Sequence, residues 1–187
     1  VADDIAHFIT QPVDIIKQQP LWAWTVPTLL LYANDADVTT WYDTHIKSWA
    51  DINHFYWIND KSIFFAVETL FQINTVLNDE KLRRFTYCAG EAMTDALFIA
   101  QGLKHVFGRS RPNLTHDGPY SWGHGGFDIY GPYTSFPSSH ATLYFACSTV
   151  LGKTLENEWL GDGIGAFAYF SLTGHNHWGS DMWIGYL

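Results

Sequence analysis

Positive charge is scarce in this chain of 187 residues. Ten Lys and Arg stand against nineteen Asp and Glu, a formal net charge of -9. A nucleic-acid backbone needs a basic face, so the charge argues against nucleic acid and none is expected as a partner. Charge of either sign is sparse, at 16% of residues, which is low for a soluble protein. Long apolar runs are also missing, and no stretch approaches the roughly 18 uncharged residues that span a bilayer. "LWAWTVPTLLLYA" (21–33) is short and interrupted by Pro27, the run 63–73 carries Glu68, and 89–100 carries Glu91 and Asp95. There are two cysteines, Cys88 and Cys147, both in apolar helical patterns where buried free thiols are common. They can pair only if the fold brings them together. Repeats, low-complexity tracts and linker-like composition shifts are absent, which leaves one domain over 1–187. Aromatic residues, by contrast, are plentiful at 17%, within a hydrophobic share of 47%. A core is easy to build, with aromatic surface left over for lipid or a greasy ligand.

Strand-type alternation is scarce and helix-type spacing common, so the expected fold class is all-α. An amphipathic helix is predicted over 2–18, stopped near Pro20, then an apolar segment at about 21–33 and a polar one at about 37–50. A helix over about 62–77 ends at "LNDE", where Asn78 or Asp79 can cap the next and Glu80 suits its first turn. That next helix runs from about 80 to Phe107 and stops at Gly108, a residue suited to the left-handed C-terminal position. Residues 109–137 are rich in Gly, Pro, Ser, Asp and aromatics, and so long a loop in a compact domain is usually functional. Helices resume over about 139–152 and 158–173, and a last one starts near 178.

Three features carry chemistry. Lys104, Arg109 and Arg111 fall within eight residues across a helix end and the following loop. Cations there can complement the helix dipole, which suits Lys104 but not the two arginines beyond Gly108, or they can form an anion site. In "FPSSH" (136–140), Ser138 or Ser139 can cap a helix whose first turn holds His140. Unpaired N–H groups and the positive end of the dipole make such a turn an oxyanion site, or the motif is a plain cap beside an indifferent histidine. In "HNHWGSD" (175–181), His177 and Asp181 are four apart, so a helical turn would put both on one side. A carboxylate bonded to one ring nitrogen leaves the other as a nucleophile. The competing reading takes His175, His177 and Asp181 as metal ligands, a weak pattern without cysteines or a longer signature, and no metal is expected.

Taken together, K-x6-R-P from Lys104 to Pro112, P-S-S-H ending at His140, and H-x3-D from His177 to Asp181 resemble the type 2 phosphatidic acid phosphatase (PAP2) superfamily. That family includes bacterial acid phosphatases, lipid phosphatases and, by shared site architecture, vanadium-dependent haloperoxidases. The resemblance covers roughly 81–187. It implies an all-α bundle with one long active-site loop, and metal-independent phosphoryl transfer through a phosphohistidine. The substrate would be a phosphomonoester or diphosphate, small or lipid-linked, with no cofactor. Phosphate or vanadate is the oxyanion expected to occupy such a site. By position, His177 would be the nucleophile and Asp181 its orienting partner. His140 would protonate the leaving oxygen and then activate water. Lys104, Arg111, Ser138 and the N–H of Ser139 would hold the phosphoryl oxygens. The helix dipole disfavours protonated His140, and a bound phosphate dianion would oppose that effect.

The motifs depart from the family pattern at two positions. Ser139 stands where the second motif usually has glycine, and Ser171 where the third usually has arginine, six residues before its histidine. Serine cannot replace a bidentate guanidinium, so Arg109 or His175 would have to reach in from elsewhere. Two alternatives to a phosphatase stand beside it: a vanadate-dependent haloperoxidase using the same pocket, whose vanadate the lost charge would hold less tightly, and a degenerate member that binds a lipid phosphate without turnover, which the loss supports. The segment "GPYSWGHGGFDIYGPYTSF" (118–136) either walls the site or packs on itself. The N-terminal "ADDIAHFITQP" resembles soluble bacterial members. Val1 in place of Met fits a cleaved signal peptide and a trimmed chain equally. An extracytoplasmic location, periplasmic or secreted and peripheral to a membrane surface, is the resulting expectation.

Overall fold

The computed structural model describes residues 20–47, 60–126, 131–172 and 176–187. The helix expected over 2–18 and the end of the one expected over 37–50 lie outside them. The described residues form seven α-helices and no strand, and the all-α expectation holds. Helix α1 (Leu21–Ala33) opens after Pro20 and runs through Pro27, losing that residue's N–H donor without breaking. None of its residues is buried, and Leu21, Trp22, Val26, Leu29 and Leu30 are exposed. No helix among the described residues is long and apolar enough to cross a membrane. Helix α2 (Asp35–Tyr42) starts two residues earlier than its polar pattern suggested and passes into a π-helical turn, Asp43–Lys47.

Helices α3 (Asp60–Leu77) and α4 (Glu80–Phe107) are joined by two residues with separate jobs. Asn78 turns the chain at φ 53°, a left-handed conformation that asparagine tolerates. Asp79 is the cap, accepting from Leu82 N at 2.8 Å. Helix α4 stops at Gly108, which has φ 52° and lies against the loop so closely that a Cβ would meet Gly125 N at 2.0 Å. Only glycine satisfies both conditions. Helices α5 (Ser139–Thr154), α6 (Glu158–Leu172) and α7 (Gly179–Tyr186) complete the chain. Helices α5 and α6 approach so closely that a Cβ on Gly161 would lie 2.5 Å from Ser148 O.

The core sits where α3, α4 and α5 meet, built from Val67, Phe85, Ala89, Met93, Leu143 and Cys147. Burying a side chain the size of Leu143 or Met93 contributes roughly 1.5–3 kcal/mol, and this apolar layer sets α5 against α4. The position of α5 matters for function, because its first turn follows "FPSSH". The cysteines do not pair: Cys147 is a buried free thiol as expected, whereas Cys88 is exposed.

Candidate active site

The end of α4, the loop beyond it, and the first turns of α5 and α7 converge. Backbone bonds fold the loop on itself, with Arg111 N donating to Pro132 O at 2.8 Å and Ser135 N to Arg109 O at 3.0 Å. Lys104, in the last turn of α4, is buried, and its ammonium donates to Thr134 O at 2.6 Å and to Pro137 O. Burial, and then the neighbouring Arg111 charge, pull its pKa down to about 7, against the opposing pull of Asp181. Arg111 braces against Thr134, with Nη2 donating to its carbonyl at 3.1 Å and Nε to its hydroxyl at 3.2 Å. Its Nη1 donates to Asn176 O at 3.2 Å and lies 3.5 Å from His177 Nε2.

His177 is buried with Nδ1 2.7 Å from Ser135 O. A carbonyl can only accept, so Nδ1 carries the hydrogen and Nε2 presents its lone pair beside the Arg111 guanidinium. Burial pushes the His177 pKa well below its ordinary value, and the charges of Arg111, Lys104 and His140 push the same way. The ring is therefore neutral near pH 7. His140 sits in the first turn of α5, its ring centroid 6.0 Å from that of His177. Ser138 proves to be the cap of α5, its hydroxyl accepting from Ala141 N at 3.3 Å. The Ser139 hydroxyl accepts from Gln101 Nε2 at 3.2 Å, which ties the side chain that replaces glycine to α4. Lys104, Arg111, His140 and His177 thus form one group, with Ser138 and Ser139 at the adjoining helix start.

Two expectations are corrected. Asp181 does not bond the His177 ring; its carboxylate accepts from Arg109 Nη1, from Ser135 Oγ and from Trp178 N at 3.0 Å. The physical reason is that α7 begins only at Gly179, with Trp178 extended at φ -75° and ψ 155°. His177 therefore precedes the helix, and a spacing of four is not a helical turn there. Asp181 reaches the ring only one step removed, through Ser135. Burial raises its pKa, opposed by Arg109, Ser135 and Trp178. Arg109 does not supply the missing arginine either. It is fully buried and its donors are committed to Asp35, Asp181, Ser180 and Pro119 O, with the guanidinium 4.6 Å from the centre of the Trp122 ring.

His175 and the Ser171 side chain lie outside the described residues; the Ser171 backbone is in the last turn of α6. Among the described residues, no group of three His, Cys, Asp or Glu could hold a metal ion. The aromatic segment divides between the two readings of it. Trp122 packs edge-on against Phe107 and Phe136, so that part is self-packed. Tyr133 stacks on His124 at 4.0 Å, and both wall a cavity of about 250 Å³ that reaches Lys104. Ser135 and Asn176 were missed by sequence reasoning, since both work through main-chain carbonyls and no side-chain pattern marks them.

The family model of the PAP2 superfamily matches residues 85–187, more than half of the chain, and this protein belongs to that superfamily. No curated protein and no solved structure matches it. Family membership supports phosphatase-type activity at the level of the superfamily.

Proposed function

We propose that the protein hydrolyses a phosphomonoester or diphosphate through a phosphohistidine on His177, without a metal ion. One observation carries this reading: a buried neutral imidazole with Nδ1 bonded to Ser135 O and Nε2 beside the Arg111 guanidinium. Nε2 attacks phosphorus and the bond to the leaving oxygen breaks, with His140 giving that oxygen a proton. Water, deprotonated by His140, then attacks the phosphohistidine and releases phosphate and the free ring. Arg111, Lys104, the Ser138 hydroxyl and the Ser139 N–H stabilise charge on the transferring oxygens, the main help this reaction needs. Asp181 holds Ser135 rather than the ring. Hydrolysis of a chromogenic phosphomonoester with chelator present is the direct test, and loss of turnover on chelation would refute the metal-independent step.

Lys104 gives the site a pH dependence. It is cationic below about pH 7 and neutral above, so anion affinity falls as pH rises through that value. Sulfate keeps its charge over this range and is expected to bind about 10-fold more weakly at about pH 8.5 than at about pH 6. In Lys104→Arg, whose cation persists, calorimetry should find a flatter profile. Equal sulfate affinity at both pH values in the unaltered protein would remove Lys104 from the site.

The degenerate, binding-only reading has one observation behind it: Ser171 lacks the family's cation and Arg109 is committed to buried carboxylates. On the phosphatase reading, Ser171→Arg raises kcat/KM on the chromogenic ester by about 10-fold, the scale of one added charge-assisted contact. Tight phosphate binding with turnover in neither form would favour the binding-only reading instead.

A further inference from the structure

The buried cluster around Arg109 contains one carboxylate that the site above does not use. Asp35, the first residue of α2, lies well upstream of the family-matched segment and is fully buried. Its Oδ1 accepts from Ser180 N at 2.8 Å, and its Oδ2 accepts from Ser180 Oγ and Arg109 Nη2, both at 2.6 Å. Ser180 is in the first turn of α7, where backbone N–H groups lack intrahelical partners. The N-cap residue there is Trp178, whose side chain cannot accept, so Asp35 satisfies from another helix what α7 cannot satisfy alone. Asp35 also sets the guanidinium: Arg109 gives Nη2 to Asp35 and Nη1 to Asp181.

Stability alone does not explain this arrangement. Arg109 and Asp181 would already balance each other, and a second fully buried carboxylate adds its own desolvation cost. What the second carboxylate does supply is orientation. Asp181 receives Arg109 from a fixed direction and takes Ser135 Oγ, while Ser135 O takes His177 Nδ1. We propose that Asp35 is a positioning residue for His177, holding Arg109 and the start of α7 so that Asp181 and Ser135 keep the ring in its Nδ1–H form. The proposal rests on the reading of His177 as nucleophile.

The test is Asp35→Asn in the full chain, which keeps the shape and removes the charge. Two quantities are read: the ¹⁵N signals of the His177 ring, and kcat and KM on the chromogenic phosphomonoester. Nδ1–H is expected to dominate in the unaltered protein and to give way to a mixture of tautomers in the variant. With the reacting geometry loosened, kcat should fall on the order of 10-fold and KM should stay within about twofold. Should Asp35→Asn not fold, Ser180→Ala carries the same test with both charges kept, and a partial tautomer shift with a drop of about threefold in kcat is expected. A folded variant with unchanged ring signals and kcat would overturn the proposal, even if its melting temperature fell. An unaltered protein that hydrolyses nothing overturns the phosphatase reading, and the ring spectrum still decides the role of Asp35.

Discussion

His177→Ala is expected to leave hydrolysis of a phosphomonoester at least about 10³-fold below that of the unaltered protein, with no acid-labile phosphoryl group to be trapped on the chain. The size of the loss follows from what the ring does. On the proposed mechanism it alone forms a bond to phosphorus, and residues acting as a unit lose most of their effect when the nucleophile goes. Its burial and its single tautomer are already fixed in the absence of substrate. Alanine therefore removes a prepared lone pair, not a side chain that must first find its place. Phosphate binding should persist in the variant, because Arg111 and Lys104 are held by Thr134 and Pro137 rather than by His177. A variant that retained full turnover would refute the histidine nucleophile. A variant that lost turnover and binding together would mean that the ring organises the anion site.

Arg109→Met is the second large effect, and it should appear in stability before activity. The substitution leaves Asp35 and Asp181 buried without their common cation. Removing one partner of a buried ion pair costs about 3–5 kcal/mol. For a chain of this length that corresponds to a fall in melting temperature of roughly 10 °C. The deficit should narrow toward acid. Without Arg109, the already raised Asp181 carboxyl is raised further, so the folded state holds a proton that the unfolded state has released, and stability falls as pH rises. Thermal unfolding across pH measures both effects. A variant with unchanged stability but weakened phosphate binding would put Arg109 in the anion site instead of the cluster.

Much of the bundle could be read from local signals. The stop at Gly108, the cap at Asp79 and the start of α5 after Ser138 are each set by one residue's conformational or hydrogen-bonding preference. The grouping of Lys104, Arg111, His140 and His177 was legible from the three motifs together. Asp181 was misread for a local reason, since His177 and Trp178 precede the helix and the assumed turn does not exist. Arg109 was misread for a non-local one. Its partner Asp35 is 74 residues upstream, and nothing in "NDADV" distinguishes a buried first-turn acid from an ordinary solvated one. The work of Ser135 was invisible because three of its four contacts are made by backbone, which carries no residue identity.

That last feature bears on how substitution scans of this site would be interpreted. Ser135 receives His177 and, at 3.5 Å, Lys104 on its carbonyl, donates its N–H to Arg109 O, and sends only its hydroxyl to Asp181. Replacing the side chain cuts one of these four threads and leaves the other three intact. A scan that ranks positions by side-chain loss would register only the Asp181 thread of Ser135, although the orientation of the His177 ring depends on its peptide group as well. Only an edit to the main chain, such as an ester in place of the amide, would reveal its weight.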